Sequence, residues 1–289
     1  MSQGLGTILV TGANSGIGFE IARQLAARGA AVIMACRDAE AGIEAAERIR
    51  DEFEDAVVEL RQVDLSSPAS IRACALRLAR DGRSLDVLVN NAGIHATAWR
   101  PSPEGLESTF ATNVLGYHVA TREFLPLLEA GAAARGGRRA RIVNVASTYV
   151  QAPDLDDAQF RARPFDGSAA YRESKAADRM LTRAWSRRLV ERGVGVNSMA
   201  PGLVMTRIFR ETGLFTGLMV RLAHLVRGRT VQQGADTALW LAVDAQAEGL
   251  SGGFFQRRLP TECEFTDQAR EERLFALCEE LAGTGSPVA

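Results

Sequence analysis

The chain holds one lysine, Lys175, among 34 basic residues, and it stands four residues after Tyr171 in Tyr171-Arg-Glu-Ser-Lys175. Everywhere else positive charge is carried by guanidinium. An ammonium kept at a single place points to chemistry that arginine does not supply, since it is a compact charge whose proton can be tuned. Tyrosine and lysine at this spacing share a helix face, so the cation is placed to make the phenol a usable acid or base. With only three tyrosines in the chain, a randomly placed lysine would take this position roughly once in a hundred trials.

A second cluster is Thr11-Gly12-Ala13-Asn14-Ser15-Gly16-Ile17-Gly18. Its glycines permit a tight turn and close backbone approach, and the helix that follows offers free N–H groups and a partial positive charge to a pyrophosphate. Glycines also end strands, so the turn gains its meaning from its place at the first strand-to-helix junction.

The elements that must position these residues alternate. Apolar runs at 7–11, 31–36, 56–63, 85–90, 141–146, 194–199 and 250–255 read as strands, with helices near 16–29, 38–53, 68–81, 103–130, 168–192, 230–244 and 266–282. This is the pattern of a Rossmann-type, doubly wound parallel sheet of seven strands with helices on both faces, in one α/β domain over 1–289. Ser67-Pro68 reads as a cap and first turn, and Gly29, Gly193 and Gly249 as helix stops. Two segments break the alternation. The stretch 149–167 has no periodicity, so it is a functional loop or a misread element. The stretch 207–229 is apolar and aromatic, and reads equally as a substrate lid (203–229) or as a packing helix or subunit contact.

A net charge of −1 argues against nucleic acid as a partner. No apolar run reaches the length of a membrane span, and the N-terminus runs straight into a strand pattern without room for a leader, so a cytoplasmic protein is expected. Cys36, Cys74, Cys263 and Cys278 are scattered without ligand spacing, and read as reduced packing residues rather than metal ligands or disulfides.

Thr11–Gly18, Asn90-Asn91-Ala92-Gly93, Asn113, Ser147, Tyr171-x3-Lys175 and Pro201-Gly202 occur in this order, and together the chain resembles the short-chain dehydrogenase/reductase family over its whole length. Ala35-Cys36-Arg37-Asp38, Ile142–Ser147 and Gly249–Phe254 resemble its retinol dehydrogenase-like branch, although Phe19 and Ala146 depart from the common residues there. The resemblance implies a catalytic set of Asn113, Ser147, Tyr171 and Lys175: Tyr171 as acid or base, Ser147 holding the substrate oxygen, Lys175 binding the nicotinamide ribose, and Asn113 anchoring a water. It implies cofactor contacts from Gly12, Asn14, Ser15, Gly16, Ile17, Gly18, Arg37, Asp64, Leu65, Asn91, Ala92, Gly93, Lys175, Pro201, Gly202 and Thr206. It also implies a homodimer through the helices at 103–130 and 168–192.

Cys36 stands where an acid would hold an unphosphorylated adenosine ribose, with Arg37 beside it. A guanidinium fork suits a 2′-phosphate, so NADP(H) is the expected cofactor; the alternative puts Asp38 in the acid's place. His95 and Trp99 read as pocket-wall residues, His118 and His224 as packing or surface ones. The expected activity is hydride transfer between NADP(H) and a hydrophobic aldehyde or ketone, or the corresponding alcohol. An NAD-linked dehydrogenase of a steroid-like or polyketide-like alcohol is the alternative, and a non-catalytic dinucleotide sensor the third reading.

Overall fold

Strands that are apolar along their whole length belong in a sheet covered on both faces. That is where the chain puts the mainly apolar β1 (Thr7–Thr11), β2 (Ala31–Cys36), β4 (Val87–Asn90), β5 (Ala140–Val145), β6 (Val194–Ala200) and β7 (Phe254–Gln256), with the more polar β3 (Val58–Gln62) at one edge. The computed structural model describes residues 4–136, 138–202, 204 and 228–283. β1 to β7 run parallel in the order β3-β2-β1-β4-β5-β6-β7. Among the described residues the sheet has eight strands rather than the seven expected, because β8 (Leu259–Pro260) folds back antiparallel onto β7. Arg257 and Arg258 make that turn with φ of 52° and 62°. A two-residue hairpin turn of this hand normally recruits Asn or Gly, so two arginines gave no signal for it.

Around the sheet lie α1 (Gly16–Ala27), α2 (Ala39–Glu52), α3 (Pro68–Arg80), α4 (Ser108–Phe110), α5 (Gly116–Ala134), α6 (Gly167–Leu189), α7 (Val231–Val243) and α8 (Gln268–Leu281). One core packs α3, α5, α6 and α8 against one face, and the other packs α1, α2 and α7 against the opposite face. The helix expected over 103–130 starts later, at Ser108, where the buried Glu107 carboxylate accepts from the backbone N–H of Thr109 and Phe110 at 2.8 and 2.7 Å. Between α4 and α5 the chain widens into a π-helical turn, Ala111–Leu115, closed by the Gly116 N–H on the Ala111 carbonyl. Such bulges are frequent at functional sites, and this one carries Asn113.

The stretch 149–167 is a loop, with no helix or strand until α6 begins. Its order comes from carboxylates. Glu173, buried on α6, accepts both Arg163 terminal nitrogens at 2.8 and 2.7 Å, and Asp157 accepts the N–H groups of Arg161, Ala162 and Arg163. Trp99 donates its indole N–H to the Gln159 carbonyl at 2.9 Å and packs with Phe160 and Phe165. It braces this loop and does not form the pocket wall expected of it.

The outer face of α5 and α6, expected to carry a homodimer contact, is packed by the chain's own α8. Phe275 lies 4.8 Å from the His118 ring and 4.9 Å from Trp185, under the Arg188 guanidinium. Glu279 accepts from His118 Nε2 at 2.7 Å and Arg122 at 3.0 Å. The fully buried Glu271 accepts from Arg183 at 2.6 Å and Arg187 at 2.5 Å. Removing that carboxylate leaves Arg183 without an ion-pair partner among the described residues, while Arg187 keeps Glu272 at 2.8 Å, and each guanidinium is about a third exposed. Glu271→Ala is therefore expected to lose about 2 kcal/mol, toward the low end for breaking a buried pair because water screens the arginines. Denaturant unfolding reads this directly, and the exposed Glu272→Ala should change stability by less than about 1 kcal/mol.

Candidate active site

In a parallel sheet the ligand site lies beyond the carboxyl ends of the strands. Here those ends are tied together by side chains. Thr11 Oγ1 accepts from the N–H groups of Asn91 and Ala92 at 2.9 and 3.0 Å, and Asn91 Nδ2 donates back to the Thr11 carbonyl at 2.9 Å. Asn90 donates to Asn144 at 2.9 Å, and Asn144 donates to Thr182 on α6 at 2.9 Å. These bonds fix β1, β4, β5 and α6 around a cleft of about 1120 Å³. Every described residue expected to touch cofactor lines this cleft, as do Ser147, Tyr171 and Lys175. Thr206, His224 and most of the 203–229 lid lie outside the described residues.

The glycine turn forms one end. Gly12 adopts φ +64°, and a Cβ there would stand 2.8 Å from the Ala92 Cα. A Cβ on Gly18 would collide with the Asn91 amide and the Gly12 carbonyl. Ser15, at the N-cap of α1, makes no side-chain cap, and the first turn carries no acidic residue. The first-turn N–H groups therefore keep their capacity for an anion, and the cradle fits a dinucleotide's phosphates. Further along, Arg37 is exposed at the cleft and joins no ion pair among the described residues. Asp38 is occupied as the N-cap of α2, accepting the Ala41 N–H at 3.1 Å. Asp64 accepts from Ser66 N–H and Oγ at 2.9 and 2.7 Å, which holds the turn that presents Leu65. At the far end Arg229 donates to the Pro201 carbonyl at 3.1 Å, closing Pro201-Gly202 against the strand bridge of Val204 and Arg229.

The other end is built on α6. Tyr171 and Lys175 are buried one turn apart, and the Tyr171 phenol is hydrogen-bonded to Ser147. Ser147 Oγ accepts the Tyr149 N–H at 3.0 Å, which orients it. The Lys175 ammonium donates to the Val145 carbonyl at 3.0 Å and to Asp178 Oδ2 at 2.8 Å, and lies 5.0 Å from the Tyr117 ring centroid. Asn113 sits behind the cleft wall rather than in it. Its Oδ1 accepts the Ile94 N–H at 2.8 Å, and its Nδ2 donates to the Ile94 carbonyl and Ser174 Oγ, each at 3.0 Å. Its amide therefore clamps the strand-β4 loop to α6, one residue from Lys175. His95 tilts against Tyr171 with ring centroids 5.3 Å apart, and burial lowers its pKa.

Burial pushes the Tyr171 phenol above its ordinary value, the Asp178 carboxylate pushes it the same way, and the Ser147 hydrogen bond pulls it down. The cation placed beside the phenol by the sequence is thus itself paired. Asp178 and Arg179 are the site residues that sequence reasoning missed. Arg179, buried, donates to the Ser147 carbonyl and stacks 3.7 Å from the Phe254 ring centroid. Asp178 was open to discovery from spacing alone, since residues three apart on a helix are neighbours.

The model of the short chain dehydrogenase family matches residues 6–215. Retinol dehydrogenase 13 of Mus musculus is 34% identical over 291 residues, covering 97% of this chain and 86% of that protein. Retinol dehydrogenase 14 of Homo sapiens is 36% identical over 267 residues, covering 86% and 77%. Among solved structures, an uncharacterized protein from Mycobacterium Paratuberculosis superposes with a TM-score of 0.75 at 31% identity, covering 97% of this chain and 94% of that one. The Pseudomonas aeruginosa RhlG/NADP complex does so with a TM-score of 0.68 at 31% identity, covering 92% and 99%. The turn, the tyrosine–lysine helix and these likenesses agree: the chain belongs to the short-chain dehydrogenase/reductase family, in its retinol dehydrogenase-like branch, and is an NAD(P)-dependent oxidoreductase.

Proposed function

We propose that the enzyme uses NADP(H) to interconvert a hydrophobic aldehyde or ketone and its alcohol, with Tyr171 as the acid and base. The observation that carries this reading is the buried phenol hydrogen-bonded to a serine in the same cleft as the phosphate cradle. When bound, the nicotinamide supplies a hydride to the carbonyl carbon or takes one from the alcohol. The chain's own residues do the rest. Tyr171 gives the carbonyl oxygen its proton, or removes the alcohol's, and Ser147 holds that oxygen with a hydroxyl whose lone pair is already engaged by the Tyr149 N–H. Lys175, one helical turn from Tyr171 and lining the same cleft, would bind ribose hydroxyls, and Asn113 keeps the Ile94 loop seated against α6.

Preference for NADP(H) rests on two side chains. Arg37 offers a planar fork at the cleft with no ion pair among the described residues, and the Asp38 carboxylate that would otherwise favour NAD(H) is spent on capping α2. A lipophilic substrate is supported by the relatives named retinol dehydrogenase. The NAD-linked reading draws on a 3-ketoacyl-(acyl-carrier-protein) reductase of Brucella melitensis whose structure holds NADH, with a TM-score of 0.66 at 27% identity. A non-catalytic sensor would have no use for the serine-bonded phenol. A single domain working in the cytoplasm belongs to the same proposal; no described helix is long and apolar enough to cross a membrane.

Arg37→Ala is expected to weaken NADPH binding about tenfold to a hundredfold while leaving NADH unchanged, since one charge-assisted fork is lost. Tryptophan quenching titrations with both cofactors measure this; equal losses for both would refute the 2′-phosphate assignment. On a panel of lipophilic and small charged carbonyl compounds, Tyr171→Phe should lower turnover by about a thousandfold with NADPH affinity preserved. A panel reduced only in its small charged members would overturn the lipophilic assignment.

A further inference from the structure

Lys175 is closed in by a carboxylate that nothing in the proposed proton transfer requires. Asp178 lies on the same helix, fully buried, and its Oδ2 accepts the ammonium at 2.8 Å. Its Oδ1 makes no hydrogen bond among the described residues. A carboxylate is not buried with half its acceptor capacity unused unless a charge holds it there. The groups that face this pair come from four directions. Tyr117 projects from α5, with its hydroxyl unbonded among the described residues, and the Cys278 thiol from α8 feels the Asp178 charge. His95 comes from the loop after β4 and packs on Tyr171; Ser147 and the Val145 carbonyl come from the end of β5. The buried Arg179 guanidinium is turned to the Ser147 carbonyl, and Asp178 is the one carboxylate paired with Lys175 among the described residues.

We propose that Asp178 is a positioning residue that cancels the charge of Lys175, so that Tyr171 faces a neutral pair and is set to deliver a proton to a carbonyl rather than to take one from an alcohol. The inference rests on the reading of Tyr171 as the acid. It adds a direction: the site is built for reduction. Two further facts accord with it. The ammonium is drawn toward the Val145 carbonyl and Asp178 at the floor of the cleft, and the Asp178 charge acts on both buried tyrosines by disfavouring their phenolates. Burial and not Lys175 governs the carboxyl itself, which is raised from its ordinary value. Acid that protonates it would uncover the lysine.

The test uses the small number of tyrosines, three in all. Alkaline difference absorbance counts phenolates in the folded protein without any substrate. Wild type should keep the buried Tyr117 and Tyr171 protonated until it unfolds. Asp178→Asn should bring one more phenolate into the range before unfolding, lowered by about one to three pH units, as expected when an unbalanced cation acts on a neighbouring acid. That added phenolate should vanish in Asp178→Asn combined with Tyr171→Phe. Its persistence there would assign it to Tyr117 and overturn the proposal, as would an unchanged count in Asp178→Asn. Should Asp178→Asn fail to fold, Asp178→Ser gives the same reading, and a wild-type Tyr171 phenolate appearing near neutral pH overturns the idea without any variant. In turnover, the alkaline limb of carbonyl reduction should move down by a similar amount in Asp178→Asn. Titration that behaves as stated in a protein inert toward every carbonyl compound would instead refute the proposed function and leave the pairing intact.

Discussion

Helix α6 must bury polar side chains on nearly all of its sides, and the rest of the molecule is arranged to satisfy them. A buried polar group without a partner costs on the order of 1–3 kcal/mol, and α6 buries Glu173, Ser174, Lys175, Asp178, Arg179 and Thr182. Glu173, Ser174, Arg179 and Thr182 are answered from different parts of the chain, while Lys175 and Asp178 pair with each other on the helix. Glu173 gathers the 149–167 loop, Ser174 meets Asn113, Arg179 meets Ser147, and Thr182 meets Asn144. At its far end Arg183 and Arg187 reach Glu271 on α8. One helix therefore sets the Tyr171 phenol and also fixes the loop beside it, the strand ends beneath it and the helix behind it. Its polar contacts are long in sequence separation, so they specify a single arrangement rather than merely a compact one.

This explains what was legible in the sequence and what was not. The glycine turn, the tyrosine–lysine spacing and the parallel alternation depend on local patterns or strand periodicity, and the structure puts them where the pattern says. What failed to show depends on distant partners. The antiparallel β8 turns on two arginines in the left-handed region, a conformation their side chains do not favour. The π-helical turn at Asn113 has no compositional mark, although Gly116 is required there because a Cβ would stand near the Leu65 carbonyl. The covering of α5 and α6 by α8 was hidden because the terminal helix reads as an ordinary acidic surface helix. Its buried face is a few residues wide: Glu271, Leu274, Phe275 and Cys278. Only Asp178 was within reach and missed, since attention to the tyrosine–lysine pair stopped one residue type short of its counter-ion.

The site itself divides by the kind of support each residue has. The glycine-turn end relies on backbone: glycines that admit close approach, a helix start left uncapped, and a proline-glycine pair held by Arg229. The Tyr171 end relies on side chains for its contacts, with Ser147 fixed at its hydroxyl by Tyr149 N–H and at its carbonyl by Arg179. Backbone support tolerates surface variation nearby, whereas a chain of side-chain contacts transmits any substitution to the phenol. Changes in α6 or the 149–167 loop should therefore act on turnover, and changes near the glycine turn on binding.

The chain's preference for arginine gives the exception at Lys175 a structural reason. The arginines reach buried carboxylates from partly exposed positions, Arg163 with both terminal nitrogens on Glu173 and Arg183 and Arg187 with one nitrogen each on Glu271, where a planar group with room to lie flat is the better partner. Below Tyr171 there is no such room. The cation must fit between the Val145 carbonyl, the Asp178 carboxylate and the Tyr117 ring, with donors pointing in separate directions and the residue only 3% exposed. A tetrahedral ammonium meets that geometry, and a guanidinium, wider and flat, would have to displace the Tyr117 ring or leave a donor unbonded. The one lysine is kept because the floor of the site is shaped for a point charge.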